Sequence, residues 1–319
     1  MKMKKWIALL AIAALLITCL TGCGTNSDKF TIGICQLAPH EALDAATKGF
    51  KDAVIAGLGE DKVEFLEQNA TGEANVCVTI VNDFVSKDVD LILANATAAL
   101  QAAANATEEI PILGTSITDY GTALEMEDFN GTVGGNISGT SDLAPLNDQA
   151  QMILDLVPAA KKVGLLYCSA EANSAYQVKV VRAYLEGKGI TVTDYKFADS
   201  NDVAQVATYA AQQSDALYIP TDNKAADCAE TIHSAVADTK IPIITGDTGT
   251  AKACGIATLS SDYYNIGKKT GEMAVKILKK EAVIAEMPIQ YDEAPQYLYN
   301  KTLCDELSIT VPETYGELK

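Results

Sequence analysis

Histidine is scarce in this 319-residue sequence, and the motifs that mark the common enzyme active sites are missing. There are only two histidines, His40 and His233, and neither a G-x-S-x-G nor a G-x-x-x-x-G-K motif is present. Those motifs place a serine nucleophile on a sharp turn or cradle a phosphate group, so the chain lacks a recognisable catalytic set. Asp119 or Glu171 could in principle act as an acid or a base. We nevertheless expect a protein that is not an enzyme.

Paired cysteines are missing as well. Six cysteines follow Cys19 and Cys23, and they occur singly, with no C-x-x-C pair and no clustering with either histidine. The sequence therefore predicts no metal site and no cofactor. Four of the six lie in apolar strand or helix patterns, which favour buried thiols over disulfides. The six are Cys35, Cys77, Cys168, Cys228, Cys254 and Cys304.

Basic residues are few relative to acidic ones. The chain has 24 Lys and Arg against 42 Asp and Glu, a formal net charge of −18 at pH 7. Without the three lysines of residues 1–22, a segment with no acidic residue, 21 basic residues remain against 42 and the net charge becomes −21. We therefore expect neither nucleic acid nor anionic lipid as a partner of the domain surface.

The N-terminus has the pattern of an export signal. Three lysines precede an apolar run, residues 6–20, which is too short to span a bilayer comfortably and ends in Leu20-Thr-Gly-Cys. This ending is similar to the lipobox of bacterial lipoproteins, where cleavage leaves a lipidated N-terminal cysteine. The prediction is a signal peptide over residues 1–22, lipidation of Cys23 and a polar tether over residues 23–29. An ordinary signal with a chance cysteine is the alternative.

From Phe30 onward, strand-like apolar runs alternate with helix-length amphipathic segments, the pattern of parallel sheets covered by helices on both faces. The pattern occurs twice, since the segments from Gly33 to Asp90 and from Gly164 to Asp215 are similar in length and each leads into a buried strand, a helix and an Ile-Pro-Ile strand. We predict an α/β fold with two Rossmann-like lobes. One large α/β domain is the alternative, because parallel strands resemble each other in composition.

A glycine-rich segment at residues 131–142 lies between the two repeats. Its four glycines leave many backbone angles open, and Val133 and Ile137 could form an extended crossover, so we interpret it as a hinge rather than a surface loop. Further crossings later in the chain would complete a three-segment hinge that restricts the motion of the lobes. The predicted first lobe comprises residues 30–138 and 262–288, and the predicted second lobe comprises residues 139–261 and 289–319.

Polar side chains follow the predicted strands at the carboxyl edge, where open parallel sheets bind their ligands. If the two edges face each other, they form a cleft that closure of the lobes can dry out. Helix capping is the alternative reason for such residues, above all for Thr97, Ser174 and Asn223. The strand-end candidates are Gln36, His40, Asn95, Thr97, Thr115, Ser116, Thr118 and Asp119 in the first half, and Ser169, Glu171, Asn173, Ser174, Thr221, Asp222, Asn223, Asp247 and Thr248 in the second.

The chemistry of these candidates differs between the halves. The first half offers mainly hydroxyls and backbone N–H groups, which suit a carboxylate, whereas the second offers Glu171 and Asp222, which suit an ammonium group. This distribution favours a zwitterionic ligand.

Eight short motifs along the chain are informative in combination. They are Ile34-Cys-Gln-Leu, His40-Glu-Ala-Leu-Asp, Asp90-Leu-Ile-Leu-Ala-Asn-Ala-Thr, Gln101-Ala-Ala-Ala-Asn-Ala-Thr, Gly139-Thr-Ser-Asp, Glu171-Ala-Asn-Ser, Tyr218-Ile-Pro-Thr-Asp-Asn and Asp262-Tyr-Tyr. Together they resemble the substrate-binding lipoproteins of ABC transporters, in the group with tryptophan- and tyrosine-binding members. The resemblance runs from Phe30 to about Pro312. It departs locally at Pro39-His-Glu, where the family often has Glu-His-Pro, and in the tyrosine- and acid-rich return at residues 291–299.

The resemblance implies a type I periplasmic-binding-protein fold with two lobes joined by three crossovers, and delivery of a ligand, often an aromatic amino acid, to an ABC permease and its ATPase. We also expect an extracytoplasmic monomer that is held to the outer face of the membrane only by the lipid on Cys23. For such a ligand we expect Thr115, Thr118 and Ser141 near the carboxylate and Glu171 or Asp222 at the ammonium. Gln36, His40, Asn95 and Asn173 would shape the pocket. Tyr120, Tyr167 and Tyr263 are candidates to stack on an aromatic ring, although ordinary packing explains each of them too.

Two other functions stay open at this stage. A sensory lipoprotein would bind its ligand and dock on a receptor, and the sequence does not separate it from a transport component. A binding protein for another small solute, such as a nucleoside or a sugar, would share the same fold and the same cleft.

Overall fold

The structure, a computed structural model, describes residues 29–319. The predicted signal peptide, Cys23 and all but the last residue of the predicted tether lie outside the described residues. Within residues 29–319, no helix combines the length and the apolar character needed to cross a membrane. All six cysteines in this range are buried free thiols.

The first lobe is a six-stranded sheet with helices on both faces, and its strands run in the order β11-β5-β4-β3-β1-β2. All of its pairings are parallel, as buried β-α-β units require. Its elements are β1 (Phe30–Gln36), α1 (Glu41–Leu58), β2 (Val63–Asn69), α2 (Ala74–Ser86), β3 (Leu91–Asn95), α3 (Thr97–Ala106), β4 (Ile112–Ile117), α4 (Tyr120–Ala123) and β5 (Ile137–Ser141), followed much later by α11 (Tyr263–Leu278) and β11 (Gln290–Tyr291).

The second lobe repeats this architecture around a seven-stranded sheet with the order β13-β12-β10-β9-β8-β6-β7. One pairing is antiparallel, because β12 enters from the other lobe and runs against β10. The elements are α5 (Leu146–Leu156), β6 (Lys162–Cys168), α6 (Ala172–Gly187), β7 (Thr191–Phe197), α7 (Val203–Gln213), β8 (Ala216–Ile219), α8 (Asn223–Asp227), α9 (Ala229–Val236), β9 (Ile243–Thr245), α10 (Thr248–Ala253), β10 (Ala257–Ser260), β12 (Gln296–Tyr299), α12 (Lys301–Leu307) and β13 (Gly316–Glu317). Short 3-10 turns lie at Glu60–Lys62, Ala237–Thr239 and Ile284–Glu286.

The predicted α/β class with two lobes is therefore confirmed, and the internal repeat is visible in matching contacts. In the first lobe, Asp90 precedes β3 and accepts a hydrogen bond from the backbone N–H of Thr31 at 2.7 Å. In the second lobe, Asp215 precedes β8 and accepts two such bonds, from Lys161 and Lys162, at 2.8 and 2.9 Å. In each lobe, an aspartate at the amino edge of the sheet thus ties a central strand to the first strand of the repeat.

The chain passes between the lobes three times, at residues 142–145, 261–262 and 292–295. This corrects the sequence interpretation of residues 131–142 as a hinge. Gly131, Gly134 and Gly135 form a positive-φ turn, after which Ile137–Ser141 pairs with β4 as a strand of the first sheet. The predicted lobe limits shift accordingly, because residues 139–141 and 290–291, assigned to the second lobe, lie in β5 and β11 of the first sheet.

Helix α11 returns from the second lobe and packs along α1, backbone against backbone. A Cβ atom on Gly267 would collide with the backbone of Ala46, and one on Gly49 would collide with the backbone of Tyr264. Glycine at these positions lets the two helices approach closely enough to bury Ala46 and Gly49. The pair positions the start of α11, and with it Tyr263, at the edge of the interlobe cleft.

Candidate functional site

A small polar cleft lies between the carboxyl edges of the two sheets. Its free volume is only about 10 Å³, far below that of ordinary small-molecule sites, so the two lobes leave almost no free space between them. Several larger depressions elsewhere in the described residues, such as one of about 300 Å³ at His233 and Lys240, contain no buried polar atom that lacks a hydrogen-bond partner. The cleft is lined by His40, Ala42, Leu43, Ser116, Thr118, Asp142, Asn173, Thr221, Asp222, Asn223, Ala226, Asp247 and Tyr263.

Six of the predicted ligand-binding residues line this cleft, and the second lobe contributes four of them. Strand ends position the six because each follows the carboxyl end of a strand or begins the next helix. The six are His40, Thr118, Asn173, Thr221, Asp222 and Asp247.

Asp222 and Asp247 are buried, and protein donors already engage both carboxylates. Asp222 accepts from the backbone N–H of Cys168, the hydroxyl of Ser174 and the backbone N–H of Ala225, each at 2.7 Å. Burial, followed by the negative charge of Glu171, raises the pKa of Asp222. Asp247 accepts from the backbone N–H and the hydroxyl of Thr250 at 2.8 and 2.7 Å. Both aspartates cap short helices of the second lobe.

Asp142, at the end of β5 where the chain first leaves the first lobe, differs from both. The Tyr263 hydroxyl donates to Asp142 Oδ2 at 2.8 Å, whereas Oδ1 has no hydrogen-bond partner among the described residues. Burial raises the pKa of Asp142 to about 6, although the hydroxyls of Tyr263 and Thr118 oppose that shift. Ser261 fixes the Asp142 carbonyl through a hydrogen bond of 3.2 Å.

Ser116 is the second lining residue with an unsatisfied side chain. Its hydroxyl is buried and has no partner among the described residues. It lies where the register between β4 and β5 shifts, and its φ of +56° is in the left-handed region that non-glycine residues rarely adopt. The irregular backbone turns the Ser116 side chain towards the cleft instead of the sheet.

Gln36 and Asn95 were predicted to shape the pocket, but both side chains point to helix α1. Gln36 Nε2 donates to Asp44 at 2.6 Å, and Gln36 Oε1 accepts from Thr47 at 2.6 Å. Asn95 Nδ2 donates to the Leu43 carbonyl at 2.8 Å. These bonds hold α1 on the sheet, so the two residues position the cleft wall without lining it.

Five other predicted residues also lie outside the lining. Thr97 is buried at the start of α3, and Thr115 is buried beneath β5, where the Thr140 hydroxyl donates to it at 3.3 Å. Ser141 folds back to the Thr118 carbonyl at 3.0 Å. Ser169 is exposed and donates to the Phe197 carbonyl at 3.2 Å. Glu171 behaves as a cap for α8, since its two oxygens accept from the backbone N–H groups of residues 223 and 224 at 3.0 and 2.8 Å.

Asp142 is the lining carboxylate that the sequence prediction missed. The available signal was the Gly139-Thr-Ser-Asp run at the end of a strand, but that run had been interpreted as part of the hinge. Of the three tyrosines proposed for stacking, Tyr263 lines the cleft. Tyr120 is a core residue whose hydroxyl donates to Thr140, and Tyr167 bonds Asp194 within the second lobe.

Three polar contacts bridge the two lobes around the cleft. His40 Nε2 lies 3.2 Å from Asn223 Oδ1. On either side, Glu41 of α1 pairs with Lys252 of α10, and Glu73 pairs with Lys224 at 3.8 Å. The lobes are therefore in contact at the mouth of the cleft.

The chain is similar in sequence and in structure to several known proteins. The family model described as ABC transporter substrate binding protein matches residues 31–317. A tyrosine-binding protein from Clostridioides difficile (strain R20291) is 32% identical, and the match covers 94% of this chain and 91% of the relative. A domain from Streptococcus pneumonia in complex with L-Trp is also 32% identical, with a TM-score of 0.86 over 91% of this chain and 99% of that one.

A second solved structure helps to define the conformation. The ligand-free, open structure of a substrate-binding protein with adhesive properties from Clostridium difficile is 32% identical over 91% of this chain and 99% of that chain, but its TM-score is 0.69. Identity and coverage are the same as for the L-Trp complex, so the difference in TM-score reflects the arrangement of the backbone. The lobes of this chain are thus arranged more as in the L-Trp complex than as in the open structure.

Proposed function

Because this chain belongs to the family of ABC transporter substrate-binding proteins and is similar to one protein named for tyrosine and one solved with L-Trp, we propose that its own ligand is an aromatic amino acid. Trp, Tyr and Phe are the candidates. The ligand is captured between the two lobes and delivered to an ABC permease and its ATPase.

The observation that carries this proposal is the cleft itself, with its buried polar atoms left unpaired on the first-lobe side and its closed arrangement of lobes. The family likeness supports the ligand class, since one relative is named for tyrosine and another was solved with L-Trp. The site residues predicted from the sequence remain part of the proposal where they line the cleft. The side-chain oxygens of Asn173 and Thr221 can accept hydrogen bonds there, since their donors already bond within the second lobe.

A thermal-shift screen of the purified residues 24–319 against the amino acids, nucleosides and small sugars tests the ligand class. A ligand that binds the folded state raises the melting temperature by mass action, by about 2.7 kcal/mol of stabilisation at one hundred times the Kd. We expect the largest shift from Trp, Tyr or Phe. A shift from a nucleoside or a sugar with none from these three would replace the proposal with the other-solute alternative.

We extend the proposal to how the protein is held at the cell surface. Residues 1–22 serve as a signal peptide, and Cys23 becomes the lipidated N-terminus. Replacing Cys23 with serine should move the protein from the membrane fraction to the medium or periplasm without changing its melting temperature, because the change lies outside the folded lobes. Retention of the serine variant in the membrane fraction would refute lipid anchoring at this residue.

A sensory role, the remaining alternative, predicts that deleting the cognate permease leaves ligand uptake unchanged.

A further inference from the structure

The four acidic side chains at or beside the cleft differ in how many of their oxygens already have hydrogen-bond donors. Glu171 accepts four hydrogen bonds, from the side chain of Asn173, the backbone and side chain of Asn223, and the backbone of Lys224, at 2.7–3.0 Å. Asp222 accepts three and Asp247 accepts two, all from their own lobe. These three carboxylates stabilise helix starts, and both oxygens of each already have a donor.

Asp142 is the exception. It is 5% exposed, its Oδ1 has no partner within the described residues, and it lines the cleft. No lysine or arginine lines the cleft among the described residues; the titratable groups around Asp142 are Tyr263, Asp247, Asp222 and His40 in the cleft, and Tyr120 in the core beside it. A buried carboxylate without a cationic partner is costly, so this arrangement is favourable only when something in the cleft supplies the positive charge.

Ser116 supplies the complementary group. It is 6% exposed, and its unpartnered hydroxyl lines the same cleft. A hydroxyl can donate to a carboxylate, which Asp142 in its ionised form cannot do. Asp142 Oδ1 thus offers a negatively charged acceptor, and the Ser116 hydroxyl offers a donor. The α-ammonium and the α-carboxylate of an amino acid would satisfy these two groups together.

We propose that Asp142 binds the ligand's α-ammonium group and Ser116 donates to its α-carboxylate, so that Asp142, and not Glu171 or Asp222, sets the requirement for an amine. This assignment rests on the proposed capture of an amino acid in the cleft. It replaces the sequence expectation for the ammonium site, and it places both recognition groups at the end of the first lobe, next to the first crossing between lobes.

The test compares Asp142→Asn with Asp215→Asn, which makes the same chemical change at the opposite edge of the second sheet. Calorimetric titration at pH 7.5 uses the aromatic amino acid with the largest thermal shift. Asp142→Asn should weaken binding at least about 30-fold, as expected for a buried charge-assisted bond, and Asp215→Asn should leave the Kd unchanged. Equal Kd values for the two variants would overturn the assignment.

Ligand analogues separate the two ends of the site. The corresponding 3-arylpropionate, which lacks the ammonium, should bind the wild type weakly, and Asp142→Asn should affect it little. The corresponding 2-arylethylamine should retain measurable binding that depends on Asp142 but not on Ser116, probed as Ser116→Gly because glycine accepts the left-handed backbone. An arylpropionate that binds the wild type as tightly as the amino acid would refute the proposal.

The melting temperature of the ligand-free protein distinguishes a variant that has lost binding from one that fails to fold. Tyr263 donates to Asp142 Oδ2, a bond that an asparagine oxygen can also accept, whereas Oδ1 has no donor among the described residues. Asp142→Asn should therefore raise the melting temperature of the ligand-free protein at pH 7.5 while abolishing most of the ligand-induced shift. A lower melting temperature would mean that the protein itself stabilises the Asp142 charge, which overturns the assignment. If the wild type responds to no amine-bearing ligand, the proposed function itself is wrong, and that outcome is recognisable before any variant is made.

Discussion

At the scale of single residues, the hydrogen-bond partners of a carboxylate decide its role more than its position at a strand end does. Asp222 and Asp142 both follow buried strands and both line the cleft. Asp222 accepts three bonds from protein donors, whereas Asp142 accepts one and keeps an oxygen free. The first is a helix cap that borders the cleft, and the second is a side chain that still requires a partner.

The raised pKa of Asp142 predicts a pH dependence for the stability of the ligand-free protein. Its usual pKa of 3.8 rises to about 6 in the folded state, so folding favours the protonated form. The stabilising contribution is complete below about pH 4 and is lost as the pH rises through 6; it amounts to about 3 kcal/mol for a shift of about two units.

The measurement is the free energy of unfolding in urea at pH 4.5 and pH 7.5, for the wild type and Asp142→Asn. The other titratable groups near Asp142, which are Tyr263, Asp247, Asp222, His40 and Tyr120, are present in both proteins, so the difference isolates Asp142. We expect the variant to gain stability relative to the wild type at the higher pH. A difference that is the same at both pH values would contradict the prediction.

At the scale of elements, the contact between α1 and α11 is the one that most directly positions the cleft. Helix α1 follows His40, and α11 begins at Tyr263, so two lining residues stand at the starts of these helices. Their close approach depends on Gly49 and Gly267, where a side chain would meet backbone atoms of the other helix. Backbone cannot rotate away as a flexible side chain can, so a collision there must separate the helices.

Gly267→Ala should therefore destabilise the protein by about 2 to 3 kcal/mol in urea unfolding. Gly187→Ala is the matched control, because Gly187 is the last residue of α6 and a Cβ there would meet nothing within 4 Å. The control should be neutral or slightly stabilising, since alanine favours helix over glycine by up to about 1 kcal/mol. Equal stabilities for the two variants would show that α1 and α11 can separate without cost.

At the scale of the whole molecule, contacts across the mouth of the cleft hold the lobes together. The Glu41–Lys252 pair joins α1 of the first lobe to α10 of the second, and it can form only when the lobes are closed. Glu41 and Lys252 side chains are 51% and 35% exposed, so the pair contributes at most about 1 kcal/mol and is weakened by salt.

Charge reversal tests this contribution to closure. Glu41→Lys should weaken ligand binding by up to about fivefold, mainly through faster dissociation, and the double variant Glu41→Lys with Lys252→Glu should restore it. Asp305→Lys is the control, because it changes the net charge equally but breaks a pair with Lys301 inside α12. Stopped-flow dissociation at low and high salt provides the measurement. A fivefold loss in the Asp305 variant as well would point to net charge instead of the interlobe pair.

The sequence by itself determined the alternation of strands and helices, the duplication of the lobe and the polar character of the strand ends. These features are local, because side-chain periodicity and buried strand length are set by residues close together in the chain. Long elements such as α1, at residues 41–58, carry this periodicity most clearly. The hinge was misplaced because a glycine-rich turn and a crossover share the same composition, and only the pairing of β5 with β4 distinguishes them.

Tertiary structure alone decided which polar strand ends face the cleft. The side chains of Gln36 and Asn95 donate hydrogen bonds to α1, and Glu171 accepts one from the start of α8. All of these partners lie on other elements. Asp142 meets the Tyr263 hydroxyl across 121 positions of sequence. Hydrogen-bond satisfaction depends on donors that folding brings from elsewhere in the chain, so the free oxygen of Asp142 in the cleft has no signature in the residues next to it.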